Sequence, residues 1–154
     1  MPFELSVHEG PLKKPELKKI SAVLNDHVPE KAKLQVFIAW AATPKMRLLN
    51  RCWRGKDKAT NVLSYPQFEL EDLKPLLKKP SSALYIGDVV LCLPYIKAEA
   101  KRLKKPVNHH LTHLVVHGVL HLLGYDHITT RKASTMQKLE KAVLADLGIP
   151  NPYA

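Results

Sequence analysis

Apolar and polar positions alternate with a period of two in four short segments of the chain and recur with a helical period between them. The alternating or near-continuously apolar segments predict strands at residues 3–7, 34–40, 60–65 and 84–92. The helical periods predict about five helices: after Pro15, after Thr43, after Pro94, up to Leu123, and from Thr129 or Thr130 to Leu147. This interleaving indicates a single α/β or α+β domain, residues 1–154, built on one sheet.

One segment carries no regular period. Residues 67–83 contain charge clusters, Pro75 and Pro80, so we predict an exposed loop there, with at most one helical turn at residues 73–77. The first ten residues lack a basic stretch followed by an apolar run, so no signal peptide is expected. The longest apolar stretch, residues 36–42, is too short to span a bilayer.

One segment, from His113 to His127, combines a buried helix with regularly spaced histidines. Six of the eight histidines in the chain lie between His109 and His127. Between residues 111 and 123 nearly all other side chains are Leu or Val, so the helix is apolar on almost every side and is predicted to be buried. The histidines interrupt this apolar surface on one side only.

The spacing of three histidines predicts a metal site on this central buried helix. His117 and His121 are four residues apart, which advances a helix by about 400° and places both rings on one face, about 6 Å apart along the axis. Gly124 predicts a left-handed helix end, after which His127 can return to the same point. Three neutral imidazoles suit Zn²⁺ and leave a fourth position open, which is typical of catalytic sites. We therefore predict one zinc ion per chain.

Other interpretations of these residues remain open. The three histidines could be ordinary hydrogen-bonded residues, although an unpaired polar group on a buried face costs about 1–3 kcal/mol. His113 lies about 12 Å along the axis from His121, so we interpret it as a pocket wall or a hydrogen-bonded core residue. Asp126 either orients an imidazole or caps the following turn.

The histidine spacing also matches the metzincin protease pattern H-E-x2-H-x2-G-x2-H, except at one position. Gly118 stands where that pattern has its catalytic glutamate. Since the glutamate takes a proton from water at the metal, its absence argues against peptide hydrolysis.

The net charge of +10 makes a polyanion the expected partner, although the charge can also serve solubility alone. We assign substrate binding to three basic residues in a predicted loop, Arg51, Arg54 and Lys56. Arg54 could hold a phosphate through two parallel hydrogen bonds; the alternative is a solvated basic turn. Cys52 and Cys92 form no paired motif, which indicates a reducing cytoplasm, and we interpret both as buried small hydrophobes.

Three segments, in order along the chain, resemble the sequence blocks of the YbeY family. Residues 50–66 are similar to its LN-x-x-YR-x-KD-x-x-TDVLSFP block, and residues 84–92 to its LGDIVIC block. Residues 117–127 resemble its HG-x-LH-L-x-GYDH signature, which is the most specific of the three. The likeness extends over about residues 34–152.

The resemblance implies a mixed four-stranded sheet with a groove leading to the metal, in a zinc-dependent endoribonuclease specific for single strands. It implies a role in maturation of ribosomal RNA, above all that of the small subunit, and in ribosome quality control. The implied partners are this RNA, the small subunit and a ribosomal protein or assembly factor, with no membrane. It makes His117, His121 and His127 the metal ligands and gives catalytic roles to His117 and to Arg54.

Three residues depart from the family pattern. Trp53 replaces Tyr and Tyr65 replaces Phe, which keeps an aromatic surface at both positions. Asn61 replaces Asp and loses a carboxylate, which argues against an essential general base there, and no other general base emerges from the sequence. Two other classes of function therefore stay open: a non-catalytic zinc-containing ribosome-associated factor, and a metal hydrolase of another substrate class.

Overall fold

The computed structural model describes residues 3–7, 11–28, 33–79 and 83–153, and only the backbone of residues 3–7. Helices and strands alternate through most of the chain. Their order is β1 (Phe3–Val7), α1 (Lys14–His27), β2 (Leu34–Trp40), α2 (Thr43–Arg54), β3 (Val62–Pro66), α3 (Leu70–Leu77), β4 (Leu84–Leu91), α4 (Leu93–Arg102), α5 (Val107–Leu122) and α6 (Thr130–Asp146).

The four strands form one mixed sheet in the order β1-β2-β4-β3. β1 and β4 both run parallel to β2, whereas β3 runs antiparallel to β4 at the edge of the sheet. Alternate residues of β2, namely Leu34, Val36 and Ile38, are buried because successive side chains of a strand point to opposite faces. The α+β class and the mixed four-stranded sheet are confirmed.

α5 lies at the centre of the molecule, where it contacts β3, β4, α4 and α6. More than half of its residues are buried, which confirms the predicted burial. The helix is followed by Gly124, whose φ of +97° lies in the left-handed region and whose amide donates to the carbonyl oxygen of His121 at 3.0 Å. The predicted helix end is therefore also confirmed.

Gly118 allows α5 to approach the sheet closely. A Cβ atom at this position would lie 2.8 Å from Cγ1 of Val89 on β4 and 3.3 Å from Oγ of Ser64 on β3. The Ser64 hydroxyl donates to the carbonyl oxygen of Gly118 at 2.9 Å. A side chain at position 118 would point into the sheet, so the residue that matches the metzincin glutamate does not face the histidines.

The exposed loop predicted for residues 67–83 is wrong over residues 70–77, which form α3. Leu73 and Leu77 are four residues apart and both are buried, so one face of the short helix packs into the core. Burying two leucines stabilises the fold by about 1.5–3 kcal/mol each, which offsets the backbone hydrogen bond that Pro75 removes. The described residues therefore form six helices, whereas about five are predicted. Residues 80–82 of the predicted loop are not among the described residues.

The basic segment also differs from its prediction. α2 continues through Arg51 to Arg54 and ends at Gly55, which has a left-handed φ of +70°, so both arginines lie on the last helical turn and only Lys56 lies in the loop. Arg47 on α2 donates to both carboxylate oxygens of Asp57, at 2.9 and 3.1 Å, and ties this loop to the helix.

The two cysteines differ in burial. Cys92 is buried as interpreted, but the same interpretation is wrong for Cys52, which lies on the solvent-facing side of α2. Among the described residues, no helix combines the length and the apolar character needed to span a membrane.

Candidate metal centre and its groove

The structure brings the three predicted ligands together. His117 and His121 project from adjacent turns of α5, and His127 lies in the segment after Gly124. One ligand atom from each of the three rings lies within 4.8 Å of the others. The Nε2 atoms of His117 and His121 are 3.0 Å apart. The loop after the helix thus returns to the face that carries the first two histidines.

The donor set of this cluster fits a zinc ion. Zinc binds imidazole nitrogens at about 2.0–2.1 Å, which places two ligands of a tetrahedral site about 3.3 Å apart. The 3.0 Å separation of the two Nε2 atoms is within a few tenths of an ångström of that value. The three rings would fill three positions of a tetrahedron and leave the fourth free for a reactant.

The surroundings keep His121 neutral, as a metal ligand must be. Burial, with a smaller effect of the neighbouring His117 and His127 rings, lowers the pKa of His121 to about 4. At neutral pH the imidazole therefore carries no charge, and no proton has to leave before it binds a metal.

Glu140 on α6 fixes the orientation of the His117 ring through a hydrogen bond. Its side chain is fully buried, and its Oε1 atom accepts a hydrogen bond from Nδ1 of His117 at 2.6 Å. Burial acts to raise the pKa of Glu140, but hydrogen bonds from His113 and His117 outweigh it and lower the pKa to about 2. Because an ionised carboxylate only accepts, Nδ1 of His117 carries the proton and the lone pair of Nε2 faces the other two histidines.

Glu140 is not among the site residues predicted from the sequence, although the chain contains a signal for it. Met136, Glu140, Val143 and Leu144 lie on the buried face of α6, at helical spacings of four, three and one. A carboxylate on such a face needs partners, because an unpaired buried charge is costly. The sequence therefore indicates that Glu140 is paired, but not with which residue.

His113 is a hydrogen-bonded core residue, one of the two roles predicted for it. Its Nε2 atom donates to Oε2 of Glu140 at 2.8 Å, and the hydroxyl of Tyr153 donates to the same oxygen. His113, His117 and Glu140 form a second group with metal-ligand spacing. Since Glu140 already accepts hydrogen bonds from both histidines of this second group, His117, His121 and His127 are the better candidate ligands.

Asp126 caps a turn, which is one of its two predicted alternatives. Its Oδ1 atom accepts from the amide of Ile128 at 3.1 Å, and its Oδ2 atom lies 3.6 Å from Nζ of Lys132. Glu140, and not Asp126, is the carboxylate that hydrogen bonds a predicted ligand.

A groove with a cavity volume of about 480 Å³ opens onto the three histidines. This volume is in the range of pockets that hold small ligands. The groove runs between the end of α2, the edge strand β3 and the histidine cluster. Its lining residues are Trp53, Arg54, Thr60, Asn61, Val62, Leu63, Ser64, Pro66, His117, His121 and His127.

Of the basic residues predicted to bind substrate, only Arg54 lines this groove. Arg51 and Lys56 are exposed and lie outside the set of lining residues. Arg51 lies three residues before Arg54, about 4.5 Å farther from the end of α2, and Lys56 follows the helix in the loop. Arg54 is thus the cation that the structure places beside the histidine cluster, and no carboxylate lines the groove within the described part of the chain.

Comparison with known proteins agrees with this arrangement. The model of the family described as Endoribonuclease YbeY matches residues 7–148. The chain belongs to the YbeY family. A protein named Endoribonuclease YbeY from Acinetobacter baumannii is 45% identical over 143 residues, which cover 92% of this chain and 88% of that protein. A protein of the same name from Zymomonas mobilis is 40% identical over 120 residues, 78% of this chain and 68% of that protein.

A solved structure has a similar fold. The solution structure of TM1509 from Thermotoga maritima superposes with a TM-score of 0.55 at 20% identity, over 95% of this chain and 91% of that chain. At this identity the likeness concerns the fold alone.

Asn61, where this chain departs from the YbeY pattern, takes part in a polar network at the edge of the groove. Its Nδ2 atom donates to Oε1 of Glu99 at 2.9 Å, and Nε2 of His110 donates to the same oxygen at 2.6 Å. Although burial acts to raise the pKa of Glu99, the hydrogen bonds from Asn61 and His110 lower it. An amide can donate this bond whereas a carboxylate cannot, so Asn61 suits its neighbour Glu99.

Proposed function

We propose that this protein is a zinc-dependent endoribonuclease that cleaves single-stranded RNA. The proposal rests on one observation: three histidines with metal-ligand spacing line the same groove as Arg54. Proteins of the same family that are 40–45% identical to this chain are named endoribonucleases. The net charge of +10 favours a polyanionic substrate over a peptide.

The three histidines, Arg54 and Glu140 have distinct parts in the proposed mechanism. A bound zinc ion would supply Lewis-acid chemistry at the phosphodiester. His117, His121 and His127 would hold it, and Glu140 keeps His117 in the tautomer that can do so. The Arg54 guanidinium offsets the charge that develops on the phosphate oxygens, which is worth most where water is partly excluded. The proton acceptor would be solvent or the RNA itself, since no carboxylate lines the groove among the described residues.

A cleavage assay tests the zinc requirement. The purified protein is treated with a chelator, dialysed, and assayed with and without one equivalent of zinc on a labelled single-stranded RNA and on its duplex. We expect cleavage of the single strand only, lost with the chelator and restored by zinc. Zinc-independent cleavage would contradict the proposal, and stoichiometric zinc with RNA binding but no cleavage would favour the non-catalytic alternative.

A charge reversal tests the role of Arg54. Arg54→Glu is expected to lower kcat/KM by about 10²–10³-fold, the usual effect of removing an electrostatic stabiliser, with zinc content and folding unchanged. Arg51→Glu is the matched control, because it makes the same charge change on the same helix but outside the groove. Equal losses in the two variants would remove the special role of Arg54.

We further propose that the substrate is ribosomal RNA, above all that of the small subunit, in the cytoplasm. The small subunit and a ribosomal protein or assembly factor would be the partners. The family membership and the basic charge support this proposal. In cells that lack the gene, unprocessed small-subunit RNA should accumulate, and wild-type protein, unlike Arg54→Glu, should restore mature ends. Normal RNA ends in the deleted strain would contradict it.

A further inference from the structure

The groove contains an exposed aromatic side chain that the metal chemistry does not use. Trp53 lies next to Arg54 on the last turn of α2 and is 51% exposed. It lines the groove together with the three histidines. Among the side chains that the structure describes, the other large hydrophobic residues with substantial exposure lie outside the groove; they are Leu48, Leu70, Tyr85, Tyr95, Leu103, Ile128 and Tyr153. The exposed indole is therefore specific to the rim of this site.

A second ring holds the indole in place. The ring centroids of Trp53 and Tyr65 are 4.6 Å apart, with an interplanar angle of 39°. Tyr65 belongs to the edge strand β3 and is itself half-buried, so it is fixed by the sheet. The left-handed Gly55 ends α2 two residues after Trp53 and fixes the position of the last turn. Tyr65 thus contacts the indole in a tilted arrangement, while about half of Trp53 stays open to solvent.

Trp53 and Arg54 together match the two chemical parts of a nucleotide. An indole accepts a nucleobase by stacking and an arginine accepts a phosphate through charged hydrogen bonds. Adjacent residues on a helix point about 100° apart, so the two side chains can hold the two parts at once. Polar side chains that suit base edges or ribose hydroxyls, those of Thr60, Asn61 and Ser64, line the same groove.

We propose that Trp53, supported by Tyr65, is a stacking subsite for an unpaired nucleobase adjacent to the phosphodiester that lies at the metal centre. The inference rests on the proposed function and extends it, because it names a cause for single-strand specificity. In a duplex each base is stacked between its neighbours and its faces are covered, whereas a single strand can offer one free face. The subsite holds the base, and Arg54 holds the phosphate beside the histidine cluster.

Binding measurements with a ligand that lacks the 2′-hydroxyl nucleophile, checked for intact length after each titration, test the subsite separately from catalysis. The probe is a single-stranded 2′-O-methyl oligonucleotide, titrated into the zinc-loaded full chain carrying Trp40→Phe, so that Trp53 is the remaining tryptophan. We expect its fluorescence to be quenched by the single strand, but not by the duplex. An oligonucleotide with abasic sites throughout should bind more weakly and cause no quenching. Binding without quenching by the intact strand would overturn the proposal.

A mutant cycle measures the energetic part of the same inference. Trp53→Ala should weaken binding of the intact strand by about 5–150-fold, the effect of losing one stacked base, but leave binding of the abasic strand unchanged. Trp53→Tyr keeps a ring and should retain most of the affinity. Tyr95→Ala, an exposed aromatic on α4 outside the groove, is the control. If Trp53→Ala loses the same affinity for the intact strand as for the abasic strand, no base stacks on Trp53.

The two proposals fail in different ways. Zinc-dependent and Arg54-dependent cleavage with no effect of Trp53 on binding would overturn the stacking subsite and leave the nuclease. Quenching and a base-dependent mutant cycle without any zinc-dependent cleavage would support the subsite and overturn the nuclease.

Discussion

Replacing Glu140 by Gln tests whether the buried carboxylate sets the orientation of a metal ligand. Both carboxylate oxygens accept hydrogen bonds: Oε1 from Nδ1 of His117, and Oε2 from Nε2 of His113 and from the hydroxyl of Tyr153. Glutamine offers one accepting oxygen and one donating amide. Whichever way the amide turns, its NH₂ group faces atoms that donate to the carboxylate in the native protein.

Both orientations of the glutamine are unfavourable, for different reasons. If the NH₂ group faces His117, the ring must carry its proton on Nε2, which removes the lone pair that faces His121 and His127. If it faces His113 and Tyr153, the largely buried Nε2–H group of His113 loses its acceptor, which costs about 1–3 kcal/mol. Changes of this kind behind a ligating histidine lower metal affinity by about 10–100-fold, which corresponds to about 1.4–2.7 kcal/mol.

We therefore expect Glu140→Gln to raise the Kd for zinc by about 10–100-fold and to lower the free energy of unfolding by about 1–3 kcal/mol. Competition with a chromogenic chelator measures the first quantity, and urea denaturation of the zinc-free protein measures the second. Glu99→Gln is the matched control, because Glu99 also accepts from a histidine of α5, at 2.6 Å, but that histidine is His110 and not a predicted ligand. If both folded variants bind zinc as the wild type does, Glu140 does not orient His117.

Two further predictions concern stability. The pKa of His121 is about 4 in the folded protein against an ordinary 6.5, so between these values the unfolded chain binds a proton that the folded one does not. The zinc-free protein should lose stability in urea as the pH falls from 6.5 towards 4, and an unchanged slope in His121→Asn would refute this cause. Gly118→Ala should lower Tm, because its Cβ would lie 2.8 Å from Cγ1 of the buried Val89. The overpacking costs about 1–3 kcal/mol, which exceeds the gain of about 1 kcal/mol in helix propensity. Each kcal/mol of stability lost lowers Tm by about 2–4 °C. A Tm equal to or above that of the wild type would show that the sheet gives way at no cost.

The features that the sequence predicts correctly are local ones. His117, His121, Gly124 and His127 lie within eleven residues, so helix geometry and one left-handed glycine suffice to bring the rings together. The strands are predicted for the same reason, since a period of two depends only on neighbouring residues. Fold class follows from the order of these elements, as the resemblance to the YbeY family also implies.

The features that the sequence analysis misses depend on contacts between distant segments. Glu140 is 23 residues from His117 along the chain, and only the packing of α6 against α5 shows which ring it bonds. α3 forms because the core covers Leu73 and Leu77, which outweighs the local effect of Pro75. Whether a basic residue reaches the groove depends on where α2 ends.

Zinc K-edge X-ray absorption of the zinc-loaded protein tests the central claim most directly. We expect one ion bound by three imidazole nitrogens at about 2.0–2.1 Å and by one oxygen ligand, with the imidazole signal reduced in His127→Ala. A sulfur ligand at about 2.3 Å, or an unchanged imidazole signal in that variant, would contradict the assignment of His117, His121 and His127 as the metal centre.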